Sequence, residues 1–525
     1  MFMLYEDNNF MLYEDIGSSI AALHRNSQNL QTMERSSLTS AKDNMAPCSD
    51  SDSKARSYWW RQHFAALAAN SITLGTGMCV AWTASAQAVL RGDRPGSPLR
   101  LSLEQSSWVT ALVPLGALLG ALPAGLLAER LGRKGALLSQ AAPEIAGWLL
   151  VIFTHDRVWM LYVARFLIGT TVGINIVAVS MYLEEISEVK VRGTTGSYFE
   201  LTASFGMLLS YILGAILPYF WYTVVGVVPG VSILLVFSWM PESPVFLVVR
   251  GRYEAARKSL QWLRGPHVNV QPELDALEES LKKQPVPSQP NKWSFWRCDL
   301  PRVDRATFKS LAVACAIMFF SQANGKNAFL YYMTDVFRDA GSNVTPEIAS
   351  IIVGAVYVAA VFLPTLTVDR VGRKPLLSVA YCVMGLSQLA MSVYTHLASK
   401  GYDVAAWRWV PLAALIIFIV AISSGPGPLS WFMLAELVPV EHRGWAISVA
   451  VVFGRIFVLV LIKEFPVMIV ELGQDVTYGI FCVMCFLAIA FTLLCIPETK
   501  GKTRDEIKDE LKGKSQESNE DCSRL

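Results

Sequence analysis

The chain has 525 residues, of which 53% are hydrophobic and 17% are charged, and its formal net charge at pH 7 is +2. Soluble domains carry about 25% charged residues, so the composition argues against a soluble protein and indicates a membrane protein. The near-neutral charge also gives no sign of a nucleic-acid partner, because proteins that bind nucleic acids carry basic patches.

Apolar runs dominate the chain after its first 57 residues. Residues 1–57 are polar and rich in Ser and Asn, and we expect them to form a disordered cytoplasmic tail. About twelve apolar runs follow, each near the roughly 20 residues that a helix needs to cross a bilayer. Numbered as spans 1 to 12, they cover residues 63–88, 106–128, 135–153, 159–183, 194–217, 221–240, 308–336, 347–368, 376–397, 409–435, 445–470 and 477–496.

The hydrophilic stretch 241–307 divides the spans into two sets of six. We therefore expect an N-terminal six-helix half at 58–240, a C-terminal six-helix half at 308–496 and a charged cytoplasmic tail at 497–525. Within 241–307, two segments alternate charged and apolar residues at helical spacing. This spacing predicts short amphipathic helices on the cytoplasmic surface.

Lysine and arginine set the orientation, because basic residues favour the cytoplasmic side of a membrane. The exits of spans 2, 4, 6, 8 and 10 are all basic, which predicts that both termini are cytoplasmic. Arg91, Arg94 and Arg100, in the first outer loop, run against this rule. The sequon Asn343-Val-Thr345 falls in the outer loop after span 7, so Asn343 is a candidate glycosylation site.

Three motifs occur twice, in the same order and each at a predicted cytoplasmic helix end. The matching pairs are Glu129–Lys134 with Asp369–Lys374, Glu185…Arg192 with Glu436…Arg443, and Pro241-Glu242-Ser243 with Pro497-Glu498-Thr499. Repetition in the same order indicates two homologous halves, which is an architecture of many transporters.

The charged residues of these motifs predict a cytoplasmic latch. Arginine side chains can fork onto carboxylates, and such a network would hold the halves together when the cytoplasmic side is closed. Single exposed pairs are too weak to do this alone. A simpler alternative is that the basic residues only anchor the loops at the membrane. The predicted latch residues are Glu129, Arg130, Arg133, Glu185, Arg192, Glu242, Asp369, Arg370, Arg373, Glu436, Arg443 and Glu498.

A polar cluster interrupts span 7. Gln322, Asn324, Lys326 and Asn327 lie within six residues of an otherwise apolar run. Polar side chains that face lipid have no water to bind, so we expect this cluster to face a wet cavity or the protein interior. Asn324-Gly325 also weakens the helix locally, and the amides suit a polyhydroxylated ligand. The alternative is a structural role, in which the amides join membrane helices by hydrogen bonds.

Span 10 contains a second interruption, Gly425-Pro426-Gly427-Pro428, which Trp431 follows. Glycine and proline break the hydrogen-bond ladder of a membrane helix, so these four residues predict a gating hinge. Trp431 is placed to stack on the apolar face of a sugar or to act as a moving gate. Taken singly, a Trp is more often a packing or interface residue.

Together these motifs resemble the sugar porter family of the major facilitator superfamily, and within it the insect trehalose-transporter-like and facilitative glucose-transporter branches. The resemblance covers about residues 60–505 and also includes Tyr162…Arg165-Phe-Leu-Ile-Gly169 in span 4. It implies an all-α membrane fold of about twelve helices in two homologous six-helix halves.

The resemblance also implies a function, that of a rocker-switch carrier for monosaccharides or disaccharides. In the family, the residues that match Gln322 and Asn327 bind sugar hydroxyls, and the Trp that matches Trp431 lines the site. Tyr331 belongs to the same signature and is assigned to the substrate site with them. The Glu/Arg pairs form the cytoplasmic latch in the family, and we assign Arg165 to this latch as well.

The predicted pocket departs from the family pattern. Ser321 stands where the family has the first glutamine of span 7, and Lys326 stands where it has isoleucine. Counting from neighbouring motifs, Glu200 replaces the sugar-binding glutamine of span 5. Tyr357 replaces the asparagine of span 8, and Arg455 falls within the Asn-Trp pair of span 11. All five positions are assigned to the substrate site.

Glu200, Lys326 and Arg455 leave three interpretations open, because charges at membrane depth are costly unless they are paired or wet. In the first, the three residues form an ion network that closes part of the sugar site. In the second, the site takes a charged or unusual solute, with Arg455 or Lys326 on an anionic group. In the third, Glu200 couples transport to protons. Span 1 has no Asp or Glu, whereas proton-coupled sugar porters usually carry an acid there, so we favour uniport.

The sequence therefore predicts an integral protein of the plasma membrane that moves a glucose- or trehalose-type sugar by alternating access, with no metal ion or cofactor. An enzyme is not expected, because the sequence shows no nucleophile–base pair, metal-ligand cluster or nucleotide-binding loop. The alternative, which the altered pocket suggests, is a transporter-shaped nutrient sensor that does not transport.

Overall fold

A computed structural model describes residues 58–92, 99–154, 157–188, 190–283, 305–364, 372–437 and 443–496. Within these ranges every regular element is a helix, which confirms the all-α prediction. Residues Arg61–Leu525 form one unit and Met1–Trp60 form a separate one. The predicted tails, 1–57 and 497–525, lie outside the described residues.

Helices occupy each predicted span of the N-terminal half. They are Trp59–Ala69 and Ser71–Leu90 in span 1, Leu103–Ser139 in spans 2 and 3, Ala141–Ile152 in span 3, Val158–Ile186 in span 4, Arg192–Ile216 in span 5, and Tyr219–Val225, Val228–Ser232 and Ile233–Phe237 in span 6. Span 2 begins with a capping box, in which Ser102 and Gln105 each bond the backbone N–H of the other. This cap defines the start of the span at the first outer loop.

Helices also occupy each predicted span of the C-terminal half. They are Arg305–Ala323 and Lys326–Asp339 in span 7, Pro346–Ala360 in span 8, Arg373–Ser399 in span 9, Val410–Ser424 and Pro426–Leu437 in span 10, Arg443–Glu471 in span 11, and Gln474–Cys495 in span 12. Between the halves lie three short helices, Pro244–Val249, Tyr253–Arg264 and Gln271–Lys283. The last two lie in the segments for which the sequence predicts amphipathic helices.

Eight helical stretches within the described ranges are long and apolar enough to cross a membrane. One of them, Leu103–Ile152, contains both span 2 and span 3. Span 8 forms a shorter apolar helix, Pro346–Ala360, and span 7 is divided into two helices. The divided span is the one in which the sequence places the polar cluster.

Small residues let the backbones of spans 2 and 4 approach closely. A Cβ atom at Gly116 would lie 2.3 Å from a backbone oxygen of span 4, and one at Gly169 would lie 2.4 Å from a backbone oxygen of span 2. Gly120 and Gly173 repeat these contacts one helical turn further along, at 2.3 and 2.1 Å. Such Gly-xxx-Gly pairs are typical of tightly packed membrane helices, and here they fix the spacing of two spans whose ends carry latch residues.

Candidate functional site

Span 7 is broken where the sequence predicts it. The first helix ends just before Asn324 and the second begins at Lys326, with Gly325 in the left-handed region at φ 83°. The Asn324 side chain bonds groups that the break frees: Nδ2 donates to Ser321 O at 2.9 Å, and Oδ1 accepts from Lys326 N at 2.9 Å. A Cβ atom at Gly325 would also lie 2.7 Å from the Phe481 ring. Conformation and space therefore both require glycine there.

Two amide side chains pair beside this break. Asn327 Nδ2 donates to Gln322 Oε1 at 2.7 Å, and Gln322 Nε2 donates to Ser321 Oγ at 3.0 Å. Gln322 and Asn327 are partly exposed, whereas Ser321 is 6% exposed and donates to the Met318 carbonyl. Gln322 and Asn327 are thus available to a ligand, and Ser321 holds Gln322 in place.

Glu200, Tyr357 and Lys326 form a group that joins the two halves, which we call the central cluster. Tyr357 OH donates to Glu200 Oε1 at 2.5 Å, and Lys326 Nζ lies 3.9 Å from the same oxygen. Lys326 Nζ also lies 5.6 Å from the centre of the Tyr357 ring, within the range of a cation–π interaction. Pairing makes charges acceptable at membrane depth, which explains how the chain carries both Glu200 and Lys326 here.

Arg455, the third charged residue of the predicted pocket, lies on the helix Arg443–Glu471 of span 11. Its neighbour Gly454 faces span 7, because a Cβ atom there would lie 3.2 Å from Met318 Cβ. Arg455 is partly exposed, and Tyr331, which is 7% exposed, is close enough to interact with it electrostatically. Of the three charged pocket residues, Glu200 and Lys326 pair with each other, and Arg455 interacts electrostatically with Tyr331.

Span 10 is broken at the predicted hinge. Its first helix ends at Ser424 and the second begins at Pro426, and Gly425 between them has φ −118° and ψ −102°. A Cβ atom at Gly425 would lie 2.2 Å from the Cβ atom of Ala380 on span 9, so glycine lets these two spans touch. Trp431, in the second helix, is 45% exposed, which leaves its ring available to a ligand.

A second group of contacts joins the halves at the span ends that are predicted to be extracellular; we call them the outer contacts. Arg91 Nη2 lies 2.5 Å from Asp335 Oδ1 and links span 1 to span 7. Lys463 Nζ on span 11 lies 5.3 Å from the centre of the Trp108 ring on span 2. None of these four residues is among the site residues predicted from the sequence. The signal was present, because Asp335 and Lys463 are charges within predicted spans, and such charges mark functional positions.

Three of the predicted latch residues, Arg133, Glu185 and Glu242, meet within the N-terminal half in a group that we call the cytoplasmic cluster. Arg133 Nε donates to the two Glu185 oxygens at 3.0 and 2.9 Å, and Nη2 donates at 2.7 Å. Ser243 Oγ donates to the same carboxylate. Glu242 Oε1 accepts from the backbone N–H groups of Lys134 and Ser243 at 3.0 and 2.8 Å. Charged hydrogen bonds are about twice as strong as neutral ones, so the cluster fixes the ends of spans 2, 4 and 6 to one another.

The two copies of the turn motif adopt the same conformation. Gly132 has φ 86° and ψ 168°, and Gly372 has φ 97° and ψ 158°. After the first turn, Lys134 Nζ donates to a carbonyl just after span 6 at 2.8 Å; after the second, Lys374 Nζ donates to a carbonyl near the end of span 12 at 2.8 Å. The repeated sequence has a repeated structure, as expected of two homologous halves.

The remaining latch residues are placed in other ways. Arg250 Nη2 donates to the backbone oxygens of Glu129 and Arg130, so these two residues contribute their main chain to that contact. Arg192 is exposed at the start of span 5, and Arg373 begins the span 9 helix. The part of the chain that the structure describes does not include Asp369, Arg370, Glu498 or the side chains of Glu436 and Arg443.

Arg165 does not join the cytoplasmic cluster, so the structure corrects its assignment to the latch. The side chain is buried, and its guanidinium donates to Cys79 O at 3.1 Å, to Cys79 Sγ at 3.4 Å and to Thr83 Oγ1. It also lies 5.0 Å from the centre of the Trp82 ring. The physical reason is helix length: Arg165 lies near the start of span 4, about 30 Å along the axis from Glu185 at its end.

Asn343 lies in the loop between spans 7 and 8. The residue is exposed, and its backbone N–H donates to the Arg408 carbonyl at 3.4 Å. The loop is therefore held by its main chain while the side chain stays accessible.

Fold and site together define a class of protein. Two sets of six spans meet at the central cluster and the outer contacts, beside broken helices that present amides and an aromatic ring. Discontinuous helices around a polar site at membrane depth are typical of secondary transporters.

Comparisons with known proteins identify the family. The model of the family described as "Sugar (and other) transporter" matches residues 43–511. The "Facilitated trehalose transporter Tret1" of Polypedilum vanderplanki is 32% identical over 457 residues, which cover 87% of this chain and 89% of that protein. The protein of the same name from Drosophila virilis is 34% identical over 457 residues; the match covers 87% of this chain and 49% of the relative, so the chain spans about half its length.

Solved structures show the same fold. The inward-open xylose transporter XylE from E. coli matches with a TM-score of 0.68 and 20% identity, covering 86% of this chain and 98% of that one. XylE bound to 6-bromo-6-deoxy-D-glucose, a proton:xylose symporter of the major facilitator superfamily, matches with a TM-score of 0.63 and 23% identity, covering 87% of this chain and 100% of that one.

The chain therefore belongs to the sugar transporter family and has the fold of the major facilitator superfamily, as the sequence predicts. It is an integral membrane protein and a transporter rather than an enzyme. These relatives favour transport over the non-transporting sensor.

Proposed function

We propose that the protein is a facilitative carrier that moves a neutral sugar of the glucose or trehalose type by alternating access. The observation that carries this proposal is the Gln322–Asn327 amide pair at the break in span 7. An amide has two N–H donors and an oxygen with two lone pairs. After pairing with each other, both side chains keep donors and acceptors for sugar hydroxyls, and neither presents a charge.

The relatives support the choice of substrate. Two of them, from Polypedilum vanderplanki and Drosophila virilis, are named as facilitated trehalose transporters. Trp431 adds an exposed aromatic face next to a broken helix. Aromatic rings and amides together match a sugar, which has apolar ring faces and a polar hydroxyl edge.

Uniport is the proposed mode of transport. Span 1 contains no Asp or Glu. The contacts of Arg165 with span 1 are to neutral groups, namely the carbonyl and thiol of Cys79 and the hydroxyl of Thr83. Proton relays through membranes use ionisable side chains such as Asp, Glu and His, and this part of span 1 supplies none.

The proposed location is the plasma membrane, with both termini cytoplasmic. The basic motifs at the ends of spans 2, 4, 6, 8 and 10 support this orientation. The exposed Asn343 then lies outside the cell together with the outer contacts, and the cytoplasmic cluster lies inside.

Uptake of labelled glucose and trehalose by the protein in liposomes tests the proposal. We expect saturable uptake at matched pH that does not change when an opposed pH gradient is applied. Gln322→Ala and Asn327→Ala should each lower uptake about tenfold, the effect of one lost hydrogen bond worth ~1.4 kcal/mol. The matched control is Gln271→Ala, an exposed amide that bonds Asp275 on a surface helix. Uptake at the parent level in both site variants would overturn the site.

A further inference from the structure

We propose that the central cluster of Glu200, Lys326 and Tyr357 is a lock between the two halves that a bound sugar releases. The inference rests on the proposed function and deepens it. Glu200 and Lys326 act as specificity-determining residues: they slow the return of the empty carrier, and they select substrates whose hydroxyls replace both lock partners.

The lock crosses the interface between the halves. Glu200 lies on span 5 of the N-terminal half, whereas Lys326 and Tyr357 lie on spans 7 and 8 of the C-terminal half. The bond from Tyr357 OH to Glu200 measures 2.5 Å, and the ion pair with Lys326 measures 3.9 Å. Alternating access moves one half against the other around the substrate site. These contacts therefore have to be broken and remade in each transport cycle.

Breaking the lock in an empty carrier is unfavourable. It separates a carboxylate from an ammonium group at membrane depth, where unpaired charges are costly. Tyr357 is 4% exposed, so its hydroxyl would lose its partner in a nearly dry place. The Glu200 side chain is 49% exposed, however, so a ligand can reach the carboxylate before the lock opens.

A sugar at the amide pair is next to the lock. Asn327 follows Lys326 directly in the chain and bonds Gln322. A hydroxyl group is both donor and acceptor, so a sugar hydroxyl can donate to Glu200 and a second can accept from Lys326. The loaded carrier thereby keeps both charges solvated while the halves move. It follows that the loaded carrier changes state faster than the empty one, and that neutral polyhydroxylated sugars are the substrates that achieve this.

Comparison of two fluxes in liposomes measures the lock. Equilibrium exchange uses only the loaded carrier, whereas net uptake into sugar-free liposomes also needs the empty carrier to return. In the parent protein, exchange should exceed net uptake about tenfold, which corresponds to ~1.4 kcal/mol in the barrier. In the double variant Glu200→Gln/Lys326→Met, which removes both charges, the ratio should fall to about twofold or less.

Single variants separate a lock from two independent sugar contacts. Glu200→Gln and Lys326→Met each leave one charge without its partner, so each should transport more slowly than the double variant, in a non-additive cycle. Tyr357→Phe removes the hydroxyl bond but keeps the ring beside Lys326, so its flux ratio should lie between the parent and the double variant. The matched control is Asp475→Asn, because Asp475 pairs with His396 at 2.7 Å within one half; it should keep the parent ratio.

Each outcome has a distinct meaning. A double variant that keeps the parent flux ratio, or single-variant effects that simply add, would overturn the lock and leave the sugar carrier standing. A parent protein that takes up neither sugar would overturn the proposed function itself. A fallen ratio together with a non-additive cycle would establish the lock.

Discussion

The outer contacts and the cytoplasmic cluster are built from the same kinds of side chain, but they join different parts of the molecule. The outer contacts link spans 1 and 2 of the N-terminal half to spans 7 and 11 of the C-terminal half. The cytoplasmic cluster links the ends of spans 2, 4 and 6 within the N-terminal half. The outer contacts thus connect the two halves, whereas the cytoplasmic cluster connects spans within the N-terminal half only.

This difference determines what each network does. A contact within one half is present in every state of the carrier, so it contributes to the stability of that half. A contact between halves exists only while the halves are close at that end, so it changes the populations of states. Variants in the cytoplasmic cluster should therefore change the stability of the protein. Variants in the outer contacts should instead change the half-saturation for sugar differently on the two sides of the membrane.

The largest expected effect is in the cytoplasmic cluster. Glu185→Ala leaves Arg133 without its forked partner, in a place where the two side chains are only 12% and 15% exposed. Removing one partner of a buried pair typically costs about 3 kcal/mol. The apparent melting temperature of the purified protein should fall accordingly. Its neighbour Glu184 is exposed, and Glu184→Ala is the matched control that should melt like the parent. Equal melting of the two variants would contradict a stabilising role.

A smaller effect is expected from the outer ion pair, and it concerns the population of transport states rather than stability. Arg91→Ala removes the bond to Asp335 and should favour the state that is open at the outer end. A change of ~1 kcal/mol, the upper range for a partly exposed pair, alters that population about fivefold. Because apparent affinity scales with the fraction of carriers open to the sugar, external half-saturation should fall by that factor. Kinetics in whole cells and inside-out vesicles measure it.

Arg338→Ala is the control for this experiment. Arg338 Nη1 lies 3.1 Å from the same Asp335 oxygen, but the two residues are three apart on one helix. Its loss should leave the external half-saturation near the parent value. If Arg338→Ala and Arg91→Ala shift it equally, the charge of Asp335 matters rather than the connection between halves.

Loss of the contact between Lys463 and Trp108 should also lower the external half-saturation, but by less than loss of the outer ion pair. Lys463→Met keeps the length of the side chain and removes the charge over the ring. A cation–π contact at a partly exposed site contributes about 0.5–1 kcal/mol, or roughly two- to fivefold. The control is Glu464→Gln, since Glu464 lies 3.7 Å from Lys463 Nζ on the same helix. An external half-saturation that responds to Glu464→Gln but not to Lys463→Met would contradict the outer contact.

The fold and the helix breaks could be predicted because their signals are local. The spans follow from the length of the apolar runs. Gly325 and Gly425 mark the breaks because glycine and its polar or proline neighbours disfavour a continuous helix, and the helices do end at these positions. The fork between Arg133 and Glu185 was also predictable, since each residue belongs to a repeated motif at a predicted cytoplasmic helix end. For the spans and the breaks, a short stretch of chain contains the physical cause; for the fork, the two repeated motifs supply it.

The rest of the site depends on contacts between distant parts of the chain. Arg91 and Asp335 are 244 positions apart, and no single sequence shows that they meet. Arg165 belongs to a signature of the family, as Arg133 does, and only its place along the helix removes it from the latch. Likewise Lys326 pairs with Glu200 while Arg455 interacts electrostatically with Tyr331, and these pairings depend on how each helix is rotated.

The smallest functional effect is expected at Asn343. Glycosylation of this residue would report which side of the membrane the outer contacts face. The second helix of span 7 carries Asp335 and ends at Asp339, just before the loop that contains Asn343. A glycan on Asn343 therefore places that end of the molecule outside the cytoplasm.

In eukaryotic cells, the parent should migrate faster on a gel after glycosidase treatment. Asn343→Gln and Thr345→Ala, which destroy the sequon in different ways, should show no shift and transport normally. A parent protein without a shift would remove this support for the orientation, while a shift lost in both variants assigns the Arg91–Asp335 pair to the outer face.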